Sequence, residues 1–312
     1  LVTESDIEAH RHPRANVIVA ATAGLVAVVV ALVVAVAVSA QPMLFSEPRQ
    51  RAVQQATIAY GEQAVLPFGT LDHPAGLAVD AADNLYVSDG SGRILKLAAG
   101  EQNPIELMSN LPRYSFDIAA DATGNVYVVG RDDSISRIDA QSHARTRLPF
   151  TGLDYPEGIA VDSDGTVYIT DNNHDRVLAL SSRSETPVTL PFNDLGSVTD
   201  VAVGRDRTVY VTDRLSSRVL KLAPGSSTPT ELPFGDLFHP IDVAVGKDGT
   251  VYASEYSDGG TNRVLALPPG SDIPTVLPFK GIERPDGIVV DSKNNVYVVD
   301  SHANRVLKMP RA

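Results

Sequence analysis

Residues 148–189 read "LPFTGLDYPEGIAVDSDGTVYITDNNHDRVLALSSRSETPVT", and this stretch decides the fold. "GIAVD" opens with an apolar run suited to a strand buried on both faces, and "TVYIT" alternates as a half-buried strand does. The pair Asp164-Gly165 favours a hairpin turn between them, "RVLAL" reads as a third strand and the following "PVTLPF" as a fourth. The stretch therefore predicts four short antiparallel strands separated by turns rich in Pro, Gly and Ser.

The same unit recurs six times between Leu66 and the C-terminus. The tripeptide "LPF" ends at Phe68, Phe150, Phe192, Phe234 and Phe279. A tyrosine in the second strand recurs at spacings of 41, 41, 42, 42 and 45 residues, at Tyr86, Tyr127, Tyr168, Tyr210, Tyr252 and Tyr297. Four strands per unit in six units predict an all-β fold, a six-bladed β-propeller. A solenoid is the alternative, and the lack of divergent end repeats disfavours it.

The two ends of the repeat region complement each other. The sixth unit stops at "RVLKMPRA" and lacks a fourth strand, whereas "EQAVLPF" at residues 62–68 supplies a fourth strand before the first unit. An N-terminal strand that completes the sixth blade would leave no open edge in the ring. The sequence therefore predicts one closed domain over residues 62–312.

Composition excludes several kinds of chemistry. The 312 residues include no Cys, which excludes disulfides, Cys-ligated zinc and a thiol nucleophile, and no Trp, which excludes Trp-Asp repeats. The net charge of −12 disfavours nucleic acid as a partner. The sequence also contains no G-x-S-x-G, H-E-x-x-H or phosphate-loop motif, so no standard catalytic signature is present.

An uncharged apolar segment precedes the repeats. Residues 17–40 read "VIVAATAGLVAVVVALVVAVAVSA", which exceeds the roughly 20 residues that a helix needs to cross a bilayer. We therefore expect a single-pass protein of the cell membrane, and because Arg11 and Arg14 precede the segment, we expect its N-terminus in the cytoplasm. Residues 1–16 would be a short cytoplasmic segment, residues 41–61 a juxtamembrane tether, and the propeller would be extracytoplasmic.

Two further expectations concern this segment. It ends in "AVSA", which is similar to a small-residue cleavage site, so the alternative is a signal peptide and a protein secreted after cleavage near Ala40. If the segment instead stays in the membrane, its Ala and Gly residues allow two helices to approach closely, which would permit a dimer.

The repeat units resemble a known family. "HPAGLAVDAADNLYVSD" at residues 73–89 and "RPDGIVVDSKNNVYVVDSHANRVLKM" at residues 284–309 look like NHL repeats. The sequence pattern of the units is similar to that of the extracytoplasmic sensor domain of actinobacterial receptor-type Ser/Thr protein kinases. The resemblance implies a sensor that binds an extracytoplasmic ligand or protein. The chain lacks the G-x-G-x-x-G, "HRD" and "DFG" motifs, so any kinase would lie upstream of Leu1 or in a separate protein.

The stretch "DNNHDR" at residues 171–176 has the composition of a metal site. Its leading acid and closing Arg recur in the other units, at Arg93, Arg218, Arg263 and Arg305, whereas His174 is replaced by Ser216 or Ala303. Metal ligands must converge on one point, and a pair repeated around a ring does not. We therefore predict that the acid caps the hairpin turn and pairs with the Arg.

Positions that depart from the repeat are better candidates for a site. The residue before each "IAVD" segment is, in order, Gly76, Asp117, Gly158, Asp200, Asp242 and Gly287. The three Asp are expected at the mouth of the central channel, where they would hold a cation or a polar ligand. The favoured alternative is that each Asp bonds local backbone where Gly otherwise makes a bend.

Irregular loops supply the remaining candidates. The ligand-binding residues predicted on the rim are Arg131, Asp132, Tyr155, His239, Tyr256 and Asp258. Drift in a tolerant loop, or simple packing, is the alternative for each of them.

Three functions follow from these observations. The first is the sensor propeller, the second is a metal-dependent lactonase- or lyase-like enzyme that uses the three Asp, and the third is an envelope interaction scaffold. We expect no catalytic residue and no cofactor, and a divalent cation in the channel belongs to the second hypothesis only.

Overall fold

A computed structural model describes residues 58–113, 117–257, 260 and 262–312, and its strands form six four-stranded antiparallel sheets. The first three sheets comprise β2 (Leu77–Val79), β3 (Leu85–Ser88), β4 (Ile94–Leu97) and β5 (Ile105–Met108); β6 (Ile118–Ala120), β7 (Val126–Val129), β8 (Ile135–Ile138) and β9 (Arg145–Arg147); and β10 (Pro156–Val161), β11 (Val167–Asp171), β12 (Arg176–Leu180) and β13 (Val188–Thr189).

The last three sheets have the same order. They comprise β14 (Val198–Val203), β15 (Val209–Asp213), β16 (Arg218–Leu222) and β17 (Thr230–Glu231); β18 (Pro240–Val245), β19 (Val251–Glu255), β20 (Arg263–Leu267) and β21 (Thr275–Val276); and β22 (Pro285–Val290), β23 (Val296–Asp300) and β24 (Arg305–Met309) with β1 (Ala64–Val65). Each sheet is one blade, and the first strands of neighbouring blades contact one another around a closed ring. The prediction of a six-bladed β-propeller is confirmed.

The N-terminal strand closes the ring. β1 pairs with β24 through Ala64 opposite Lys308 and Val65 opposite Leu307, and Tyr60 bridges to Arg311. The sixth blade therefore takes its fourth strand from the other end of the repeat region, as the sequence predicts. Because this pairing joins the two ends of the repeat region, the sixth blade is complete and the ring is closed.

The core lies between the blades rather than within one of them. An apolar cluster fills each of the six seams between neighbouring blades. The Phe of each "LPF" tripeptide packs in one seam, and Phe68, Phe150 and Phe234 are almost fully buried. Burying such a side chain contributes about 1.5–3 kcal/mol, which explains why the tripeptide recurs in five of the six seams.

A tyrosine of the second strand links it to the end of the first in four blades. Tyr168 Oη donates to Asp162 Oδ2 at 3.0 Å, and equivalent bonds join Tyr86 to Asp80, Tyr127 to Asp121 and Tyr297 to Asp291. Burial, and then the charge of the Asp162 carboxylate, raise the pKa of Tyr168 to about 12. In the fourth and fifth blades Gly204 and Gly246 take the place of the Asp.

The N-terminal predictions concern residues outside the described part of the chain. Residues 1–57, which include the proposed span at 17–40 and most of the tether, are not described. In the described ranges, no helix has the length and apolar character that crossing a bilayer requires. The transmembrane helix therefore stays a prediction.

Candidate functional site

The "DNNHDR" stretch is the end of a hairpin. Residues Asn172–His174 form a single 3-10 turn between β11 and β12. The fully buried Asp171 carboxylate accepts a bond from Arg176 Nε at 2.7 Å and contacts His174 Nδ1 at 2.9 Å. It also accepts the backbone N–H of Asp154 at 2.8 Å. The predicted pairing of the acid with the Arg is therefore confirmed, whereas the Asp171 side chain makes no cap bond to the turn itself.

The Arg that pairs with this acid also ties the hairpin to the loop before the first strand of its blade. Arg176 Nη2 donates to the carbonyl of Gly152 at 2.8 Å, and Arg218 Nη2 bonds Asp194 O at 2.7 Å in the next blade. Because the acid and the Arg hold backbone on both sides, they recur as framework in the blades that carry them.

A cavity of about 290 Å³ opens at the mouth of the channel on this same face. It lies between the loops that precede the first strands and those that join the second and third strands. The charged side chains that line it are His73, Asp117, Arg131, Glu157, Asp200, Arg214, Asp242, Arg284 and Asp286. The cavity is therefore polar and carries charges of both signs.

The three Asp predicted at the channel form the floor of this cavity. Each carboxylate accepts a backbone N–H from the next blade: Asp117 Oδ2 from Ile159 at 3.1 Å, Asp200 Oδ2 from Val243 at 2.9 Å, and Asp242 from Ile288. Asp117 and Asp200 also bond the backbone of the following residue, Ile118 and Val201, so the expected local bonds are present and the bonds across the seam add to them. The first strands of adjacent blades lie so close at the channel that the side chain reaches across the seam.

The close approach of neighbouring blades also explains why Gly occupies the channel position in the other three blades. A Cβ on Gly158 would lie 2.6 Å from Asp200 Cα, and one on Gly76 would lie 2.7 Å from Ile118 N. Gly76, Gly158 and Gly287 do not have positive φ, so they make no bend that only glycine allows. Glycine is needed there because the next blade leaves no room for a side chain.

The floor holds a shared proton. Asp200 and Asp242, only 6% and 7% exposed, are joined by a side-chain hydrogen bond. Burial raises the pKa of Asp200 to about 7, and burial and then the charge of Asp200 raise the pKa values of Asp117 and Asp242. Close carboxyl groups out of water cannot all ionise, so the floor both donates and accepts hydrogen bonds at neutral pH.

Glu157 is a fourth acid of the cavity. Its carboxylate accepts a bond from Asn172 Nδ2 at 2.7 Å. Burial raises the pKa of Glu157, and the positive charges of Arg214 and Arg131 oppose that rise. The charges of Arg214 and Arg131 therefore act on the ionisation of Glu157 across the mouth of the channel.

Sequence reasoning missed Glu157, Arg214, Arg284 and Asp286. The position of Glu157, immediately before the channel position, is Ala75, Thr199, Ile241 or Asp286 in other blades. This variation was a usable signal. Arg284 Nε donates to Asp286 Oδ1 at 2.8 Å, so these two residues form one unit of the wall.

The predicted rim residues separate into two groups. Arg131 and Tyr155 line the cavity, as does His73. Asp132 accepts a bond from Ser134 Oγ at 2.6 Å, and His239 stacks on Phe238 with the ring centres 4.1 Å apart. Neither Asp132 nor His239 is part of the cavity lining.

Tyr256 contacts Arg284, a residue of the cavity wall. The Arg284 guanidinium lies 4.9 Å from the centre of the Tyr256 ring, a distance at which a cation–π interaction forms. Asp258 lies outside the described residues.

The carboxylates of the floor bond protein groups. In the described ranges, no group of three or more His, Asp or Glu side chains is arranged to hold one. The carboxylates of Asp117, Asp200 and Asp242 bond backbone N–H groups of the next blade instead. Calcium and similar ions need several convergent oxygen ligands that are free to coordinate.

These features define a six-bladed β-propeller with a polar cavity at one channel mouth. The NHL repeat model matches residues 153–180 and 283–309, so the propeller contains NHL repeats. A search of curated proteins finds no similar sequence.

Several solved structures share the fold. Virginiamycin B lyase from Staphylococcus aureus is 13% identical with a TM-score of 0.59 over 81% of this chain and 100% of the lyase. A gluconolactonase from Xanthomonas campestris is 16% identical with a TM-score of 0.64 over 80% and 89%. An auxiliary nutrient binding protein from Bacteroides thetaiotaomicron is 13% identical with a TM-score of 0.65 over 80% and 76%. Identities this low establish the fold and carry no function.

Proposed function

We propose that this protein is a ligand-binding sensor propeller whose site is the cavity at the channel mouth. The main support for this proposal is that residues which depart from the repeat converge on this cavity. Asp117, Asp200 and Asp242 form the floor, and Glu157 and Arg214 stand on the wall. In a ring of repeats, framework residues recur, whereas a site for one ligand must be asymmetric.

The lining indicates the chemistry of the ligand. The carboxylates of the floor accept hydrogen bonds and their shared proton can be donated, while Arg131 and Arg214 offer donors nearer the solvent. A volume of about 290 Å³ is at the lower end of the range for small-molecule sites. The expected ligand is therefore a small molecule of monosaccharide size with several hydroxyl or amino groups.

Thermal shift with a library of sugars, amino sugars, sugar acids and amino acids tests this proposal. We expect one class to raise the unfolding temperature, because a ligand at 100 times its Kd stabilises by about 2.7 kcal/mol. Asp200→Asn and Arg214→Gln should each lose the response. Asp164→Asn, in the turn at the opposite end of its blade, is the matched control and should keep it. No response, or a response retained in both cavity variants, would overturn the proposal in favour of a scaffold.

We extend the proposal to a membrane-anchored extracytoplasmic protein that works with a Ser/Thr kinase. The apolar run at residues 17–40 and the phrasing of the repeats support this extension. Fractionation of cells that express the full chain tests the anchor. Recovery in the soluble fraction would reject it without affecting the ligand proposal.

An acid–base enzyme is the second candidate, and the shared proton of Asp200 and Asp242 favours it. A lyase and a gluconolactonase have the same fold, although they share little sequence with this chain. Hydrolysis of glucono-δ-lactone near pH 7 is the test. A rate above buffer that Asp200→Asn abolishes, with lactone binding retained, would place the enzyme first, because Asn cannot transfer a proton.

A further inference from the structure

The second blade has an unusual outer edge. Its fourth strand, β9 (Arg145–Arg147), reads "RTR", and all of its side chains are exposed. The fourth strands of the other blades contain no Arg or Lys: they read "IELM", "VT", "TE", "TV" and "AV". In a chain of net charge −12, this edge is a local concentration of positive charge.

The backbone of β9 is available for pairing. Leu148 N donates to Ile135 O at 2.8 Å, so the polar groups of Leu148 face the neighbouring strand β8. Backbone groups alternate sides along a strand, so those of Arg147 and Arg145 face away from β8. β9 is the outermost strand of its sheet, and these groups therefore point to solvent.

Most other blades block this position with proline. The residues equivalent to Arg145 in the other blades are Pro104, Pro187, Pro229, Pro274 and Gln63. A proline removes the outward N–H and protects an edge strand from pairing with another chain. The second blade has lost this protection and carries a cation at the same place.

A concave surface continues from the strand. The segment at residues 147–152 lines a shallow groove of about 510 Å³ that begins at Arg147. Arg145 Nε donates to Ser136 Oγ of β8 at 3.0 Å, which fixes the position of the guanidinium beside the strand. Within the described part of the chain, no carboxylate forms an ion pair with Arg145 or Arg147, although both lower the pKa of the nearby Asp132.

We propose that β9 is a docking edge for an extended acidic segment of a partner protein. The segment adds to the second blade as a fifth strand, bonds the outward backbone groups of Arg145 and Arg147, and places Asp or Glu side chains on their guanidinium groups. It then continues into the groove. Charge complementarity favours this occupant over a second copy of the chain, because two β9 strands paired together would oppose four arginines.

Fluorescence anisotropy of the full chain with short labelled peptides tests the proposal. A peptide of alternating Glu and Thr should bind, and its affinity should fall as salt is added. A Gln–Thr peptide lacks the charge, and a Glu–Pro peptide keeps it but cannot pair as a strand. Each should bind more weakly by about tenfold, which corresponds to about 1.4 kcal/mol.

Two variants at one position separate strand pairing from charge. Arg145→Gln removes the cation and keeps the N–H, whereas Arg145→Pro removes both and restores the residue that four other blades carry. We expect Arg145→Pro to weaken the Glu–Thr peptide by about tenfold more than Arg145→Gln does. Arg183→Gln, at an exposed position of the third blade, is the control and should bind normally.

Several outcomes would overturn the proposal. Equal binding of the Glu–Pro and Glu–Thr peptides, or equal effects of the two Arg145 variants, would mean that only charge acts. Failure of the Glu–Thr peptide to bind would reject the edge outright. Self-association that Arg145→Pro abolishes would show that the occupant is a second copy. If Arg145→Pro does not fold, the peptide series on the unaltered chain still decides.

Discussion

The hairpin ends and the channel positions occupy the same face of the ring but follow opposite rules. At the hairpin ends an acid and an Arg recur in five blades, as in Asp171 with Arg176 and Asp300 with Arg305. At the channel the same position holds Gly in three blades and Asp in three. Recurrence marks a contact that every blade needs, whereas alternation marks a place where neighbouring blades must fit each other.

This difference explains why composition alone misleads. "DNNHDR" is rich in metal-ligating residue types, yet its acid bonds one Arg, one His and one backbone N–H. The channel positions are isolated Asp residues in apolar strands, yet they meet in one cavity. Convergence in space, rather than density in sequence, makes a site.

The largest effect is expected from a side chain placed at a Gly of the channel. In Gly158→Ala the new Cβ would meet Asp200 Cα at 2.6 Å and Thr199 O at 2.9 Å. Overpacking against backbone should cost about 3 kcal/mol in the free energy of unfolding. Urea denaturation measures this loss.

Gly196→Ala is the matched control for that measurement. Its Cβ would meet nothing closer than Ser216 Oγ at 3.2 Å, the end of an exposed side chain, so the change should be small. Equal losses in the two variants would mean that the Gly residues of the channel are not set by the approach of the next blade.

The next effect concerns the recurring acid. Asp171→Ala leaves Arg176 without its carboxylate and the Asp154 N–H without an acceptor. Arg176 is partly exposed, so we expect a loss of about 2 kcal/mol rather than the full cost of a buried charge. Asp213→Ala in the next blade should cost the same within error, because Arg218 and Gly196 N are its equivalent partners. Loss of ligand binding in Asp171→Ala at normal stability would contradict a framework role.

The repeats allowed the fold to be predicted from the sequence, but they did not reveal the contacts between blades. Tyr168 and Phe150 recur at fixed spacing, so blade number and strand order followed, and the missing last strand predicted the closure by β1. The partner of Asp117 lies 42 residues away at Ile159, one residue after the equivalent position in the next repeat. Nothing in one unit states how closely the neighbouring unit approaches, so the bond of the Asp to the next blade was not predicted.

The cavity was only partly predictable for a similar reason. Asp200 and Asp242 were found because they replace Gly at a recurring position. Glu157 was missed because it occupies a position where every unit differs, and Arg214 because its position is shared only with Arg131 of the second unit. A variable position is equally typical of drift, and only the convergence of Glu157 and Arg214 on one cavity separates the two cases.

The pH dependence of stability tests the shared proton at the floor. The pKa of Asp200 is raised to about 7 in the folded chain, mainly by burial, and is near 4 when unfolded. The folded chain therefore binds more protons at Asp200 between these values, so the contribution of this group to stability is complete below about pH 4 and is lost as pH rises through about 7. The unfolding temperature should drop by a few degrees across this window, and less in Asp200→Asn. An unchanged slope in the variant would place the buried proton elsewhere.

The smallest expected effect comes from the tyrosines, which recur in all six blades although their partners do not. Tyr168→Phe removes the bond to the buried Asp162 and should cost about 1 kcal/mol. Tyr210→Phe, where Gly204 replaces the Asp, should change stability by less than about 0.5 kcal/mol. Urea denaturation of both variants is the measurement. Equal costs would mean that the tyrosine recurs for its ring, which packs in the seam, and that the carboxylate contributes nothing measurable.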